Sequence, residues 1–184
     1  MVTKIFFFLL ISISIWSFAA VADTIAPNDF VFHKSTGTNA QWGIVGGKIL
    51  QVKFAPGNPF NASLWFSRII PFPKVGRSYR ISITVKQSGV TDPQARINLD
   101  VIGGNRDAAS LDTTCFRKTV WAANCAEWTT VELSFTLPEA GRDAKWNQAQ
   151  TFLTSFSAIS ANGTFFFRDY KFEEVVPRSE ATAK

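Results

Sequence analysis

Apolar and polar residues alternate with period two along most of this chain. Tyr79, Ile81, Ile83 and Val85 alternate with Arg80, Ser82, Thr84 and Lys86, and Gln87-Ser88-Gly89 ends the run. Ala95, Ile97, Leu99 and Val101 alternate with Arg96, Asn98 and Asp100 before Gly103-Gly104. Val131, Leu133, Phe135 and Leu137 alternate with Thr130, Glu132, Ser134 and Thr136 before Pro138. Successive side chains of a strand point to opposite faces, so this alternation predicts strands with one face in a core and the other in solvent. Ile49 to Phe54, Leu64 to Ile70 and Thr164 to Val175 read as strands of higher apolar content, and Asp29 to His33 and Phe152 to Ile159 also read as strands. Turn residues punctuate them: Ala55-Pro56-Gly57-Asn58-Pro59, Pro71 to Gly76, Gly103-Gly104-Asn105 and Asn162-Gly163. With no helical period and no internal repeat, the pattern predicts an all-β antiparallel sandwich or barrel.

The first residues follow a different rule. Lys4 precedes an apolar stretch from Ile5 to Phe18, and Ala20-Val21-Ala22 matches a small-x-small cleavage pattern. Residues 1–22 are therefore expected to be a signal peptide cut before Asp23. The stretch is short for a membrane span, so the mature chain is expected to be secreted or periplasmic, with no transmembrane segment after cleavage. Residues 23–176 are expected to form one β-sandwich domain, and 177–184 a disordered tail. Removing the signal lowers the formal charge from +5 to +4. The Lys and Arg residues are scattered rather than clustered, which argues against a nucleic-acid partner. Cys115 and Cys125 are the only cysteines; in an exported chain they are expected to form one disulfide closing a short loop. Two cysteines and the lone His33 do not make a zinc site.

The order of features resembles the carbohydrate-binding modules of the family 4/9/22 type, which are galactose-binding-like jelly rolls. Asn28-Asp29-Phe30 and Trp42 are similar to their opening strand and the Trp that follows it. Gly76-Arg77-Ser78-Tyr79 looks like the Gly-Lys-x-Tyr element that opens a long alternating strand. Trp128 precedes Val131 to Phe135 and Pro138 as a Trp does there. Gly163 to Val175, with Asp169, Glu174 and Val175, is similar to their last strand. The resemblance covers nearly all of the mature chain, although the Gly and Glu of the opening motif are missing. It implies a jelly-roll sandwich that binds a polysaccharide or oligosaccharide without cutting it. It also implies a structural calcium held by Asp29 and Asp169, two of the 6–8 oxygen ligands calcium takes; no other cofactor is expected. The protein is expected to be a monomer.

In such a jelly roll the polar faces of two strands could line a concave groove. Arg68, Thr84, Lys86, Arg96, Asn98 and Asp100 are the candidate hydrogen-bonders, because sugar hydroxyls both donate and accept. The alternative is that these residues form an ordinary solvated face. Among the tryptophans left after the signal, Trp121 is the first candidate to stack on a sugar, since the disulfide loop would hold it outside the core. Trp146 is second, Trp42 and Trp128 are assigned to core or rim, and Trp65 fits either role. Enzyme signatures are weak. No Gly-x-Ser-x-Gly elbow or His-Glu-x-x-His helix occurs, and nothing pairs Asp100, Glu127 or Glu132 across a cleft as a glycosidase requires. The remaining readings are an envelope protein that binds another protein, and a small polysaccharide hydrolase or lyase.

Overall fold

The alternating segments become strands wherever their apolar side can be covered. The structure is a computed structural model and describes residue 25 and residues 29–71, 76–104, 116–136 and 151–175. Ten strands run through these residues: β1 (Val31–Lys34), β2 (Ala40–Val45), β3 (Ile49–Phe54), β4 (Ser63–Pro71), β5 (Ser78–Ser88), β6 (Arg96–Gly104), β7 (Phe116–Ala122), β8 (Thr129–Thr136), β9 (Thr151–Ile159) and β10 (Gly163–Val175). They form two antiparallel five-stranded sheets, one in the order β1-β4-β9-β6-β7 and the other in the order β2-β3-β10-β5-β8. This is the antiparallel β-sandwich expected from the sequence. Among the described residues no helix is long and apolar enough to cross a membrane.

The core lies between the sheets. The first sheet contributes Leu64 and Phe66 of β4, Ile97, Leu99 and Val101 of β6, and Phe156 and Ala158 of β9. The second contributes Leu50, Val52 and Phe54 of β3, Ile81, Ile83 and Val85 of β5, and Phe165 and Phe167 of β10. Phe156 joins the two halves: it stacks on Phe66 with ring centroids 5.3 Å apart and meets Phe167 of the opposite sheet at 5.1 Å. Burying these side chains removes apolar area from water and supplies the main stabilisation.

One irregularity keeps that core continuous. In β10 the inward residues are Phe165 and Phe167, then Tyr170 and Phe172, a change of phase that strict alternation forbids. The register against β5 shifts between Arg168 and Lys171. Asp169 takes up the extra residue with φ +54°, as a β-bulge does. Tyr170 is thereby turned inward, fully buried, with its hydroxyl 2.6 Å from that of Thr154 on the other sheet.

The expected disulfide does not appear. Cys125 is a free, buried thiol directed at the Ala123 carbonyl, 3.7 Å away; Cys115 lies outside the described residues. The stretch between the cysteines is not a loop. Phe116 pairs with Gly103 and Ala122 with Ile97, so β7 carries the chain about 20 Å along the sheet at the usual rise per residue. Cys125 follows the far end, where its carbonyl accepts from the Gln87 N–H at 2.6 Å. The expected signal peptide (residues 1–22), the expected disordered tail (177–184) and Trp146 also fall outside the described residues.

Candidate functional site

The register of the first sheet fixes which side chains stand together on its outer face. His33 pairs with Trp65, Trp65 with Ser157, Ser157 with Asn98, and Asn98 with Trp121. These five form one transverse row across β1, β4, β9, β6 and β7. The next outward row is Val31, Ser67, Ser155, Asp100 and Thr119, and beyond it stand Ile69, Leu153, Ile102 and Arg117.

Side-chain size then shapes the surface. Ser67, Ser155, Ser157 and Asp100 point away from the core, yet each is buried. They are short residues on a floor, shielded by taller neighbours on either side. The result is a trough of about 230 Å³, lined among others by Trp65, Asn98, Asp100, Ser155, Ser157 and Leu153. Trp65 and Trp121 stand in the same row, three strand spacings or about 14 Å apart. Trp65 is half-buried and stacks on His33, with centroids 5.5 Å apart and planes 17° from parallel. Trp121 is 65% exposed, a large apolar cost that a soluble surface ordinarily avoids.

The polar groups of the floor are positioned to receive hydroxyls. The Thr119 hydroxyl donates to Asp100 Oδ1 at 2.5 Å, and Arg117 Nη2 reaches the same oxygen at 3.4 Å. Among the described residues both bonds fall on Oδ1, which leaves Oδ2 to accept from a ligand. Asn98 offers a donor and an acceptor on one planar group. The trough thus combines apolar ring faces with paired hydrogen-bonding groups, the chemistry a sugar presents.

Of the six hydrogen-bonders expected from the sequence, the structure brings Asn98 and Asp100 together here, flanked by Trp121. Arg96 lies on the same face but beyond Trp121, beside a second hollow of about 420 Å³. Arg68 is on the opposite face of β4, in phase with Leu64 and Phe66, so it does not reach the trough. Thr84 and Lys86 belong to the other sheet, with the whole sandwich between them and Asn98. The single groove expected from these residues is therefore two separate surfaces.

The outer face of the second sheet is occupied by its own charges. Arg80 Nη2 is 2.8 Å from Glu173, and Lys86 is 3.6 Å from Glu127. Thr84 and Thr130 hydroxyls are 3.2 Å apart. The hydrogen bond to Glu173, with the charges of Glu173 and Glu132, raises the Arg80 pKa above its ordinary value. A hollow of about 240 Å³ on this face is lined by residues such as Arg80, Thr84, Glu132 and Lys171, without an aromatic ring.

The two residues expected to hold calcium lie on the strands, or the approach to a strand, of different sheets. Asp29 is exposed at the start of the first sheet. Asp169 occupies the bulge of β10, half-exposed and 3.3 Å from Arg168. Among the described residues no group of three or more His, Cys, Asp or Glu side chains is placed to hold a metal ion. Asp169 has a conformational role in the bulge, and Arg168 lies over the Trp128 ring at 4.1 Å.

Sequence reasoning missed Trp65 as a partner for Trp121. The signal was present: Leu64 and Phe66 face inward, so Trp65 must face out. It also missed Ser155, Ser157, Thr119 and Arg117, because only strand pairing puts them beside Asn98 and Asp100.

Structural comparison finds the same β-sandwich fold in solved carbohydrate-binding modules. The chain is similar to a family 4 module with 18% identity, covering 81% of this chain and 88% of that one at a TM-score of 0.53. It is also similar to the family 11 module of Clostridium thermocellum in complex with a β-1,3-1,4-mixed-linked tetrasaccharide, at 14% identity, 82% and 91% coverage and a TM-score of 0.53. The enzymatically active domain of tailspike protein 4 of bacteriophage CBA120 contains a similar unit, with 9% identity and a TM-score of 0.55 over 82% of this chain but 20% of that one. At these identities the likeness establishes the fold. No protein-family model matches the sequence, and neither does any curated protein.

Proposed function

We propose that the protein is an exported carbohydrate-binding module that holds a polysaccharide or oligosaccharide in the trough of the β1-β4-β9-β6-β7 sheet. One observation carries this reading: Trp65 and Trp121 stand in one row, on either side of Ser157 and Asn98, above buried hydroxyls and the Asp100 carboxylate. The indoles take the C–H faces of sugar rings, while Asn98 and Asp100 exchange hydrogen bonds with the hydroxyls. Carbohydrate ligands named for structures of this fold support the same class of ligand.

The binding is proposed to be non-catalytic. Among the described residues the trough contains one carboxylate, Asp100, whose Oδ1 is already engaged; glycoside hydrolysis ordinarily uses two facing carboxyl groups. The signal-like segment supports export, and the mature product is expected to begin at Asp23, which intact-mass measurement of the secreted protein checks.

Affinity electrophoresis against a panel of soluble polysaccharides tests the assignment. Retardation by one class without loss of polymer length supports it. Depolymerisation replaces it with a glycan-degrading activity, and mobility unchanged in every gel overturns it.

A further inference from the structure

Beyond Trp121 the trough face continues into the second hollow, of about 420 Å³, lined by Pro93, Gln94, Ala95, Arg96, Trp121 and Ala123. Its walls are mostly apolar, and the one charged group on them is a guanidinium. Other arginines of the sandwich are engaged by carboxylates: Arg77 at 3.6 Å, Arg80 at 2.8 Å, Arg117 at 3.4 Å and Arg168 at 3.3 Å. Arg96 differs. Its Nη1 donates to the Gln94 carbonyl at 3.4 Å, and among the described residues it has no ion pair. The nearby acid of the same loop, Asp92, is buried and committed elsewhere, accepting from the Gln94 N–H at 2.8 Å and the Ala161 N–H at 2.7 Å.

A guanidinium tethered at one nitrogen, beside an exposed indole and an apolar pocket, is arranged for an anion on an otherwise apolar ring face. Its remaining N–H groups can grip a carboxylate in a fork. We infer that the hollow beside Trp121 and Arg96 is a subsite for an anionic sugar, a uronate, so that the bound glycan carries carboxyl groups. This rests on the carbohydrate-binding reading above and specifies its ligand class. The formal charge of +4 expected once residues 1–22 and their Lys4 are removed from the +5 of the full sequence favours the same partners at long range.

The test uses the purified protein in affinity gels containing polygalacturonate, alginate or glucuronoxylan, each beside its carboxyl-reduced form, together with a neutral β-glucan. The expected result is stronger retardation by at least one uronate polymer than by its reduced form, weakening as salt is raised. Arg96→Gln is expected to lower that preference about fivefold or more, to near parity, as loss of a charge-assisted contact at an accessible site does. Retardation by neutral and reduced polymers equal to that by uronates overturns the inference and leaves carbohydrate binding standing. A uronate preference that survives in Arg96→Gln also overturns it, by placing the anion elsewhere. No retardation in any gel overturns both.

Discussion

A few side chains in this sandwich do work that their neighbours cannot take over. Trp121 is the clearest case, because its indole contributes little to the core. Trp121→Ala is expected to weaken glycan binding about tenfold, as loss of a ring-stacking contact worth about 1–1.5 kcal/mol would, with the thermal midpoint hardly moved; calorimetric titration and a melting curve separate the two. Thr84→Ala and Lys86→Ala are expected to leave affinity unchanged in the same titration, since both lie on the far sheet. Gly163 has φ +91°, and a Cβ there would sit 2.5 Å from Val90 Cγ2 and 2.8 Å from Val90 Cα. Gly163→Ala is expected to cost about 2 kcal/mol or more through strain and displacement of backbone, read by urea unfolding. Burial pushes the Cys125 thiol up, against a smaller opposing effect of the Thr129 hydroxyl. The folded thiol then stays protonated where the unfolded one ionises, so stability falls as pH rises above about 8.5, the unfolded thiol's range. In a Cys115→Ser background, iodoacetamide at pH 8 is expected to label Cys125 slowly in the native protein and rapidly in denaturant; rapid native labelling would show the thiol to be accessible.

Strands were legible in the sequence to the degree that they are buried on one side. Ile49–Phe54 is read with its observed bounds, and β5, β6 and β8 emerge within a few residues of theirs, because each carries an unbroken series of core residues. Neither β2 nor β7 was visible. Both are edge strands, and on β7 Arg117, Lys118, Thr119 and Trp121 are all exposed, so no period survives. This limit explains the mixed reading of the site. Period two says which residues leave the core, but not which side of the molecule they reach. Arg80 to Lys86 and Arg96 to Asp100 show the same alternation and lie on opposite outer faces. The bulge of β10 makes a prediction at this scale. A glycine accepts φ +54° at no steric cost and a β-branched residue does not. Asp169→Gly is therefore expected to be nearly neutral and Asp169→Val to destabilise by about 1–3 kcal/mol, measured by chemical denaturation.

Taken as a whole, the chain passes repeatedly from one sheet to the other: β3 to β4, β4 to β5, β5 to β6, β7 to β8, β8 to β9 and β9 to β10 all change sheets. Neighbours in a sheet are thus remote in sequence, as β4 and β9 are, and such non-local pairing folds in milliseconds to seconds rather than microseconds. Stopped-flow fluorescence of the tryptophans is expected to show refolding in that slower range. The row from Trp65 to Trp121 inherits this wiring. Its members come from strands at both ends of the domain, and β9, which supplies Ser157 at its centre, is the last of them to be made. During synthesis the proposed binding row is therefore incomplete until β9 has left the ribosome, and a fragment ending after β8 lacks the strand that joins Trp65 to Asn98 and Trp121. Capture on an immobilised glycan would then select molecules that contain β9 from nascent or clipped ones that stop short of it, and would double as a purification step against those shorter products.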